Sequence, residues 1–144
     1  MATVGSRREH RARTTTDEAS AVAERYATAW IGNDLDGLLG CYSDDFTLHY
    51  FGDHPFAGDH VGRDAALAAL LEVGARAPRR LIAVDDVLAG PGAAALVVRE
   101  GIEVDGEVVE IGRVLRYRVE GDRFAECWLH EEQQALIDSA WSDR

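Results

Sequence analysis

The apolar residues of the first third of the chain recur every three or four positions, which is the spacing of an amphipathic helix. Thr15 followed by Glu18 forms a capping box, which predicts a first helix that runs to about residue 31. The predicted buried face of this helix carries Ala19, Val22, Ala23, Tyr26, Ala29 and Trp30. Asp34 is the predicted N-cap of a short second helix, which the polar residues 43–45 end. Its apolar stripe consists of Leu35, Leu38, Leu39 and Tyr42.

From residue 46 onwards the pattern is mainly the period-two alternation that is typical of strands, interrupted by one more helix. Residues 46–51 form the first predicted strand, with Phe46, Leu48 and Tyr50 on one face and His49 on the other. Segment 52–62 contains three glycines and a proline, so we expect an irregular loop there. Leucines at helical spacing predict a third helix over residues 63–75.

Four further strand-like segments follow in the second half of the chain, at 81–88, 93–103, 107–119 and 123–130. The connections at 90–92, 105–106 and 120–122 are short and rich in glycine, which predicts hairpins. The Asp105-Gly106 pair is the strongest of these signals, because it accepts the positive φ angles of a two-residue turn. The closing segment 131–141 is polar and compatible with a short helix.

The order of the elements predicts an α+β fold. Three helices at the amino terminus precede a mostly antiparallel sheet, which bends over the helices into a cone-shaped barrel with an apolar interior. Residues 1–14 are polar and rich in arginine, and we expect them to be a disordered tail. Residues 15–144 are therefore predicted to form one domain, which at this length can bury a core of its own.

Charge and composition narrow the class of partner. The chain of 144 residues has a net charge of −11, and all of its 15 basic residues are arginine, which disfavours nucleic-acid binding. No apolar run approaches the roughly 20 residues that span a bilayer, so we expect no membrane association. The amino terminus resembles no secretory signal and the two cysteines form no disulfide framework, which favours a cytoplasmic location. The acidic excess favours a neutral or weakly polar ligand, although a local arginine could still receive a carboxylate or enolate.

Several short motifs, taken in their order, resemble those of the nuclear transport factor 2-like superfamily. They are Arg25-Tyr26, Asp34-Leu35-Asp36, the run from Tyr42 to Asp45, Pro55-Phe-Ala-Gly58, Gly62-Arg-Asp64 and the stretch from Gly121 to Trp128. The resemblance covers about residues 17–141. Relatives in this superfamily include ketosteroid isomerases, limonene epoxide hydrolases and polyketide cyclases of the SnoaL type. The resemblance implies a pocket inside the curved sheet and a homodimer. It does not imply one reaction, because a single scaffold of this kind carries many chemistries.

The ketosteroid isomerases use a strand aspartate as base, with a tyrosine and a protonated aspartic acid as oxyanion donors. Tyr26 matches that tyrosine, whereas the base position falls on His49 or Tyr50 and the second acid falls near Arg113 or Val114. Steroid isomerisation by that residue set is therefore not expected. A base at His49 would be chemically sensible, because imidazole titrates near neutral pH. It would need a bulge to face the pocket, and the alternative is that His49 lies on the outer face of its strand.

The limonene epoxide hydrolases and the SnoaL-type cyclases suggest two further types of chemistry. The limonene epoxide hydrolases use an Asp-Arg-Asp arrangement, for which this chain offers Arg99 and His130, but the remaining aspartate falls on Gly101. That triad is incomplete, and Arg99 could equally lie on the surface. The SnoaL-type cyclases use an aspartate or histidine to remove a proton beside a carbonyl. His49 and His130 are candidates for that role, so cyclase chemistry is the least contradicted of the three.

Aromatic residues at Trp30, Tyr42, Tyr117 and Trp128 would line the pocket or simply fill the core. Residues 49–60 contain metal-ligating types without a ligand spacing, so we expect a surface loop and no metal. Cys41 and Cys127 lie in apolar patterns, which indicates packing residues and not nucleophiles.

The sequence therefore predicts a cofactor-independent enzyme of the isomerase, cyclase or hydrolase kind that acts on a small hydrophobic molecule. His49 or His130 would be the acid or base and Tyr26 a hydrogen-bond donor. The substrate would lie against Trp30, Tyr50, Arg99, Tyr117 and Trp128. Two alternatives remain open: a binding module without catalysis, and a dimerisation domain whose cavity is filled by its own side chains.

Overall fold

The fold is that of a computed structural model, which describes residues 14–142. The predicted tail lies outside the described residues except for Thr14, which is part of the fold. Its carbonyl oxygen accepts a hydrogen bond from the backbone of Gly92 at 2.7 Å, and its hydroxyl accepts one from Gly121 at 2.9 Å. Thr14 therefore belongs to the fold, although the domain was predicted to begin at residue 15.

Four helices flank the sheet: α1 (Thr16–Ile31), α2 (Leu35–Leu39), α3 (Arg63–Arg76) and α4 (Gln134–Trp141). The capping box at the start of α1 is confirmed, because the Thr15 hydroxyl accepts from the Glu18 backbone while the Glu18 carboxylate accepts from the Thr15 backbone. The face of α1 that carries Val22 and Tyr26 is buried, as its spacing predicted. No helix within residues 14–142 is long and apolar enough to cross a membrane.

Six strands form one curved sheet in the order β2-β1-β6-β5-β4-β3. Their bounds are β1 (Tyr42–Tyr50), β2 (Gly58–Val61), β3 (Arg79–Gly90), β4 (Ala93–Val104), β5 (Glu107–Glu120) and β6 (Arg123–Glu131). All neighbouring pairs are antiparallel except β1 and β6, which are parallel. The α+β prediction with a mostly antiparallel sheet is confirmed.

Two predicted boundaries are wrong, and both errors have a tertiary cause. Tyr42 was expected on the second helix, but α2 ends at Leu39 and Tyr42 begins β1, where it pairs with Phe124. The predicted loop 52–62 also contains β2, which pairs with β1 from Gly58 to Val61. Pairing with distant strands overrode the local pattern in both places.

The two faces of the sheet differ in environment. The inner face carries buried apolar residues and packs on α1, with Phe46 and Leu48 of β1 each about 1% exposed. The outer face carries half-buried charged and aromatic residues, as at Arg118 and Trp128. The register of β3 against β4 shifts twice, between Leu81 and Ala83 and between Val84 and Asp86, and such irregularities bend a strand. The bent sheet and the helices leave a space between them.

Candidate functional site

A cavity of about 840 Å³ lies between the inner face of the sheet and helices α1, α2 and α3. Its wall is mostly apolar, with Trp30 from α1, Leu70 from α3 and Leu48 from β1. These side chains face inwards because each lies on the apolar face of its own element. The volume is within the range of small-molecule sites, roughly 300–1,000 Å³.

A cluster of aromatic residues forms one part of this wall. The hydroxyls of Tyr26 and Tyr42 are 2.5 Å apart, and Tyr117 stacks on Phe124 with ring centroids 3.7 Å apart. Burial raises the pKa of Tyr26 to about 12 and the pKa values of Tyr42 and Tyr117 well above their usual range. All three phenols are therefore neutral at physiological pH.

A buried ionic cluster forms another part of the wall. Arg113 of β5 donates to Glu100 of β4 at 2.7 Å and to both carboxylate oxygens of Glu131 of β6, at 2.6 and 2.8 Å. The side chains of Arg113 and Glu100 are each 2% exposed and that of Glu131 is fully buried. Burial alone would lower the pKa of Arg113, but the two carboxylates hold it well above its ordinary value. A buried ion pair of this kind persists only when it is fully hydrogen-bonded.

The hydroxyl of Tyr50 completes the cluster on the side away from the cavity. It donates to Glu131 at 2.8 Å and accepts from Arg113 at 2.9 Å and from the indole of Trp141 at 2.6 Å. Burial raises the pKa of Tyr50 and keeps it protonated. Glu131 and Tyr50 therefore brace Arg113 from behind, while Arg113 and Glu100 border the cavity.

One carboxylate oxygen of Glu100 is left for chemistry. Oε1 is held by Arg113, whereas Oε2 accepts no hydrogen bond from residues 14–142. Oε2 is not fully enclosed by protein atoms, unlike the buried Nη1 of Arg79, which also has no partner. Because Glu100 lines the cavity, its free oxygen borders that space, where it can accept a proton from a bound molecule.

The structure divides the residues singled out from the sequence into two groups. Tyr26, Trp30 and Tyr117 line the cavity, and Tyr50 is buried just behind its ionic wall. His49, His130, Arg99 and Trp128 do not line it, because they lie on the outer face of the sheet.

His49 lies on the outer face because successive residues of β1 alternate between the two faces, and its neighbours Leu48 and Tyr50 point inwards. The register of β1 on β6 runs without interruption from Thr47 to Tyr50, so no bulge turns His49 inwards. Its ring lies between the carboxylates of Asp59, at 2.6 Å, and Glu126, and it stacks on Trp128 with centroids 5.2 Å apart. The expectation that His49 faces the pocket is wrong.

His130, Arg99 and Trp128 have outer-face partners as well. His130 stacks on Phe51 with centroids 5.1 Å apart, and the guanidinium of Arg116 lies 4.2 Å above the ring of Trp128. Arg99 binds Asp85 through two hydrogen bonds of 2.9 and 3.1 Å. The expectation that these three side chains meet a ligand in the cavity is therefore also wrong.

Sequence reasoning missed the cavity's own charged residues, namely Glu100, Arg113 and Arg79. A signal for two of them was present in the alternation of the strands. Glu100 continues the apolar face of β4 after Leu96 and Val98, and Arg113 lies between Ile111 and Leu115 on the inward face of β5. A charge in phase with an apolar face is a candidate functional residue, since burying it requires partners.

Metal-ligating residues do not converge in the part of the chain that the structure describes. Groups of three or more histidine, cysteine, aspartate or glutamate side chains suited to a metal ion are absent from residues 14–142. Cys41 and Cys127 are both free and buried, and burial raises the pKa of the Cys127 thiol.

Comparison with known proteins identifies the family and the fold. A family model described as the SnoaL-like domain matches residues 23–127. A search of curated proteins finds no match.

Solved structures share the fold at low sequence identity. A protein from Xanthomonas campestris, of unknown function with a cystatin-like fold, is 23% identical with a TM-score of 0.78, over 90% of this chain and 100% of that one. An NTF2-like protein from Burkholderia xenovorans LB400 is 18% identical with a TM-score of 0.70, over 90% and 99%. TerC, co-crystallised with polyporic acid, is 12% identical with a TM-score of 0.72, over 87% and 99%.

Proposed function

The chain belongs to the SnoaL-like domain family of NTF2-like proteins, and on that premise we propose that its cavity binds a small hydrophobic molecule and performs cofactor-independent acid/base chemistry on it. The reaction would be of the isomerase or polyketide-cyclase type, with Glu100 as the general base. The observation that carries this proposal is the free oxygen of a buried glutamate at the wall of an apolar cavity. TerC, which shares the fold, was co-crystallised with a small molecule, and this supports a ligand site in this scaffold.

The proposed step is removal of a proton from a carbon next to a carbonyl group. Glu100 Oε2 takes the proton, and the electron pair of the broken C–H bond moves to the carbonyl oxygen to form an enolate. If the enolate is conjugated with a C=C bond, returning the proton from Glu100 to the far carbon gives an isomer. Attack of the enolate carbon on a second carbonyl closes a ring instead, and the new alkoxide oxygen then takes the proton from Glu100. The role of Arg113 is to orient the carboxylate, and the neutral Tyr26, which lines the cavity, would donate a hydrogen bond to the ligand oxygen.

Occupancy of the cavity is tested with the neutral fluorescent probe N-phenyl-1-naphthylamine, which brightens in apolar surroundings. Leu81 lines the cavity, and we expect Leu81→Trp to fill space there and weaken probe binding several-fold. Leu88→Trp is the matched control, because Leu88 lies on the same strand, is exposed and is not part of the wall. Equal weakening by both variants, or by neither, would contradict a ligand site in the cavity.

Catalysis is tested with 2-tetralone, an apolar ketone whose protons beside the carbonyl exchange with solvent. In deuterated water we expect the protein to accelerate deuterium incorporation, measured by NMR. Glu100→Gln should reduce the acceleration by roughly 10²–10⁴-fold, the usual contribution of a general base. Glu110→Gln is the control, since Glu110 is an exposed carboxylate next to Arg99. Exchange at the wild-type rate in Glu100→Gln would exclude Glu100 as the base, and probe binding without any exchange would favour the non-catalytic binding module.

A second candidate, epoxide hydrolysis, is favoured by the arrangement of the ionic cluster. Two carboxylates flank one arginine across three adjacent strands, which is the kind of set that the epoxide hydrolases resembled here require. It consists of Glu100, Arg113 and Glu131 in place of the expected Arg99 and His130. Conversion of limonene 1,2-oxide to the diol by the wild type but not by Glu100→Gln would support hydrolysis over isomerisation.

Pairing with a second copy of the chain is a further proposal. The superfamily resemblance implies a homodimer, and the outer sheet face carries Trp128 and the half-exposed Phe51, which suit an interface. Sedimentation equilibrium should give about twice the chain mass of 15.7 kDa. A mass of one chain at micromolar concentration would contradict the homodimer.

A further inference from the structure

The charged residues of the cavity wall are mostly cationic. Within residues 14–142, the wall contains three arginines, Arg79, Arg80 and Arg113, and a single carboxylate, Glu100. Even with Glu131 counted behind the wall, three positive charges face two negative ones. The whole chain carries a net charge of −11, so this local excess of positive charge runs against its overall balance.

Arg113 forms ion pairs with two carboxylates, whereas Arg79 forms none within residues 14–142, although Glu100 and Glu131 also act on it electrostatically. The Nη1 nitrogen of Arg79 is buried and has no hydrogen-bond partner, and no described residue forms an ion pair with its guanidinium. Burial and the neighbouring Arg113 lower the pKa of Arg79, although an arginine of this kind remains protonated. A buried N–H group without an acceptor is costly, so an acceptor that enters the cavity would be bound favourably.

The first half of the strand that carries Arg79 borders the cavity. Arg79 begins β3, which is an edge strand of the sheet. Six consecutive residues, 79–84, line the cavity, so both faces of this strand border it. Arg80, which follows, both lines the cavity and is exposed to solvent, so it lies at the rim of the cavity. Across the ladder, Leu81 pairs with Glu100, so Arg79 lies two positions along the strand from the partner of the proposed base.

We infer that the cavity selects a largely apolar molecule that carries one anionic oxygen group, and that Arg79 is the receptor for that group. A carboxylate, a phenolate and an enolate all meet this requirement, since each offers a negatively charged acceptor to the Arg79 guanidinium. Arg80 at the rim would attract the same charge on its way in. This inference rests on the proposed function and deepens it by naming the class of ligand.

Net charge alone led to the opposite expectation, a neutral or weakly polar ligand. The difference arises because a ligand in a low-dielectric cavity interacts strongly with the charges on the cavity wall. Its interaction with carboxylates on the solvated surface is weaker, because water and salt screen them. One bound anion would add a third negative charge to those of Glu100 and Glu131, which would equal the three positive charges of the arginines.

Two fluorescent probes with the same skeleton separate charge from apolar contact. 1-Anilinonaphthalene-8-sulfonate carries a sulfonate, and N-phenyl-1-naphthylamine is the same molecule without it. We expect Arg79→Met to weaken binding of the sulfonate probe by about tenfold or more and to change binding of the neutral probe less than about twofold. Arg79→Lys should retain part of the discrimination, because it keeps the charge.

Arg123→Met is the matched control, since it also removes one positive charge but from an exposed residue outside the cavity wall. It should leave both affinities unchanged. Equal affinities of wild type and Arg79→Met for the sulfonate probe would overturn the role of Arg79. Failure of the wild type to bind either probe would instead remove the proposed function together with this inference, so the two failures are distinguishable.

A competition experiment on the wild type tests the same claim without relying on a variant that folds. 1-Naphthoate and 1-naphthamide are similar in size and differ in charge, and each can displace the neutral probe. We expect the carboxylate to displace it at a concentration about tenfold lower than the amide. Equal or stronger displacement by the amide would overturn the inference while leaving the cavity as a ligand site.

Discussion

At the scale of single residues, the Tyr50 hydroxyl links the first strand, the ionic cluster and the last helix. It forms hydrogen bonds with Arg113, Glu131 and Trp141. A buried polar network is stabilising only when each member is satisfied. The hydroxyl therefore matters for stability, although it does not itself border the cavity.

Tyr50→Phe removes that hydroxyl and leaves the apolar ring in place. We expect the free energy of unfolding, measured by urea denaturation, to fall by about 1–3 kcal/mol, because donors on Arg113 and Trp141 lose an acceptor in the interior. Thr47→Val removes a hydroxyl from the same strand at the surface and should change stability by less than about 0.5 kcal/mol. Equal effects of the two substitutions would show that the network contributes little.

His49 is expected to make stability depend on pH. Partial burial would lower the pKa of His49, but the hydrogen bonds to Asp59 and Glu126 outweigh it, and the net shift is upwards. A pKa that is higher in the folded state stabilises the protein fully below the unfolded value of 6.5, and this contribution is lost as the pH rises through the folded value.

His49→Gln removes this contribution, so the difference in unfolding free energy between wild type and variant should shrink as the pH rises from 6 through the raised pKa. Urea denaturation at a series of pH values measures this difference. His130, whose pKa is lowered by burial and by Arg116, is present in both proteins and therefore cancels. A constant difference across this range would contradict the upward shift.

These residues also show the reach of sequence reasoning at this scale. Alternation along 46–51 correctly gave the faces of Leu48 and His49. His49 was nevertheless considered for the cavity because residue type was given more weight than face, and the structure places it outside the cavity wall. Glu100 was overlooked as a candidate, since its inward position becomes meaningful only when Arg113 on the neighbouring strand provides its partner.

At the scale of elements, the turn between β4 and β5 is the one that the sequence predicted best. Asp105 and Gly106 have φ angles of 52° and 83°, as a two-residue hairpin of this type requires. The boundary between α2 and β1 was predicted worst, because Tyr42 continues the local apolar stripe and yet pairs with Phe124, some 80 residues later. Local chemistry determines a tight turn, whereas a strand end depends on a distant partner.

Two glycine-to-alanine substitutions should have opposite signs. Gly106→Ala introduces a Cβ atom at a positive φ and should lower the free energy of unfolding by about 1 kcal/mol or more. Gly74→Ala lies inside helix α3 with open space around the new atom, and should raise it by about 0.5–1 kcal/mol. Thermal unfolding of both variants measures the shifts, and a loss of stability in Gly74→Ala would contradict this account of the helix.

At the scale of the whole molecule, the sheet separates two polar environments. Its outer face holds His49, His130 and Arg99 in contact with carboxylates, aromatic rings and solvent. Its inner face encloses an apolar cavity with a buried ionic cluster at the wall. The order of elements was enough to predict the fold and the existence of a pocket. The identity of the charges inside could not be predicted from it, because that depends on the register of β4, β5 and β6 together.

The central claim is that ligands occupy the inner cavity and not the outer face, and the three tryptophans report on this directly. Trp30 lines the cavity, Trp128 lies on the outer face, and Trp141 is buried behind the ionic cluster. In an NMR titration with 2-tetralone, with indole N–H signals assigned through Trp30→Phe and Trp128→Phe, we predict that the signal of Trp30 shifts most and that of Trp128 stays in place. A shift of the Trp128 signal with no change at Trp30 would contradict the account and move the binding site to the outer face of the sheet.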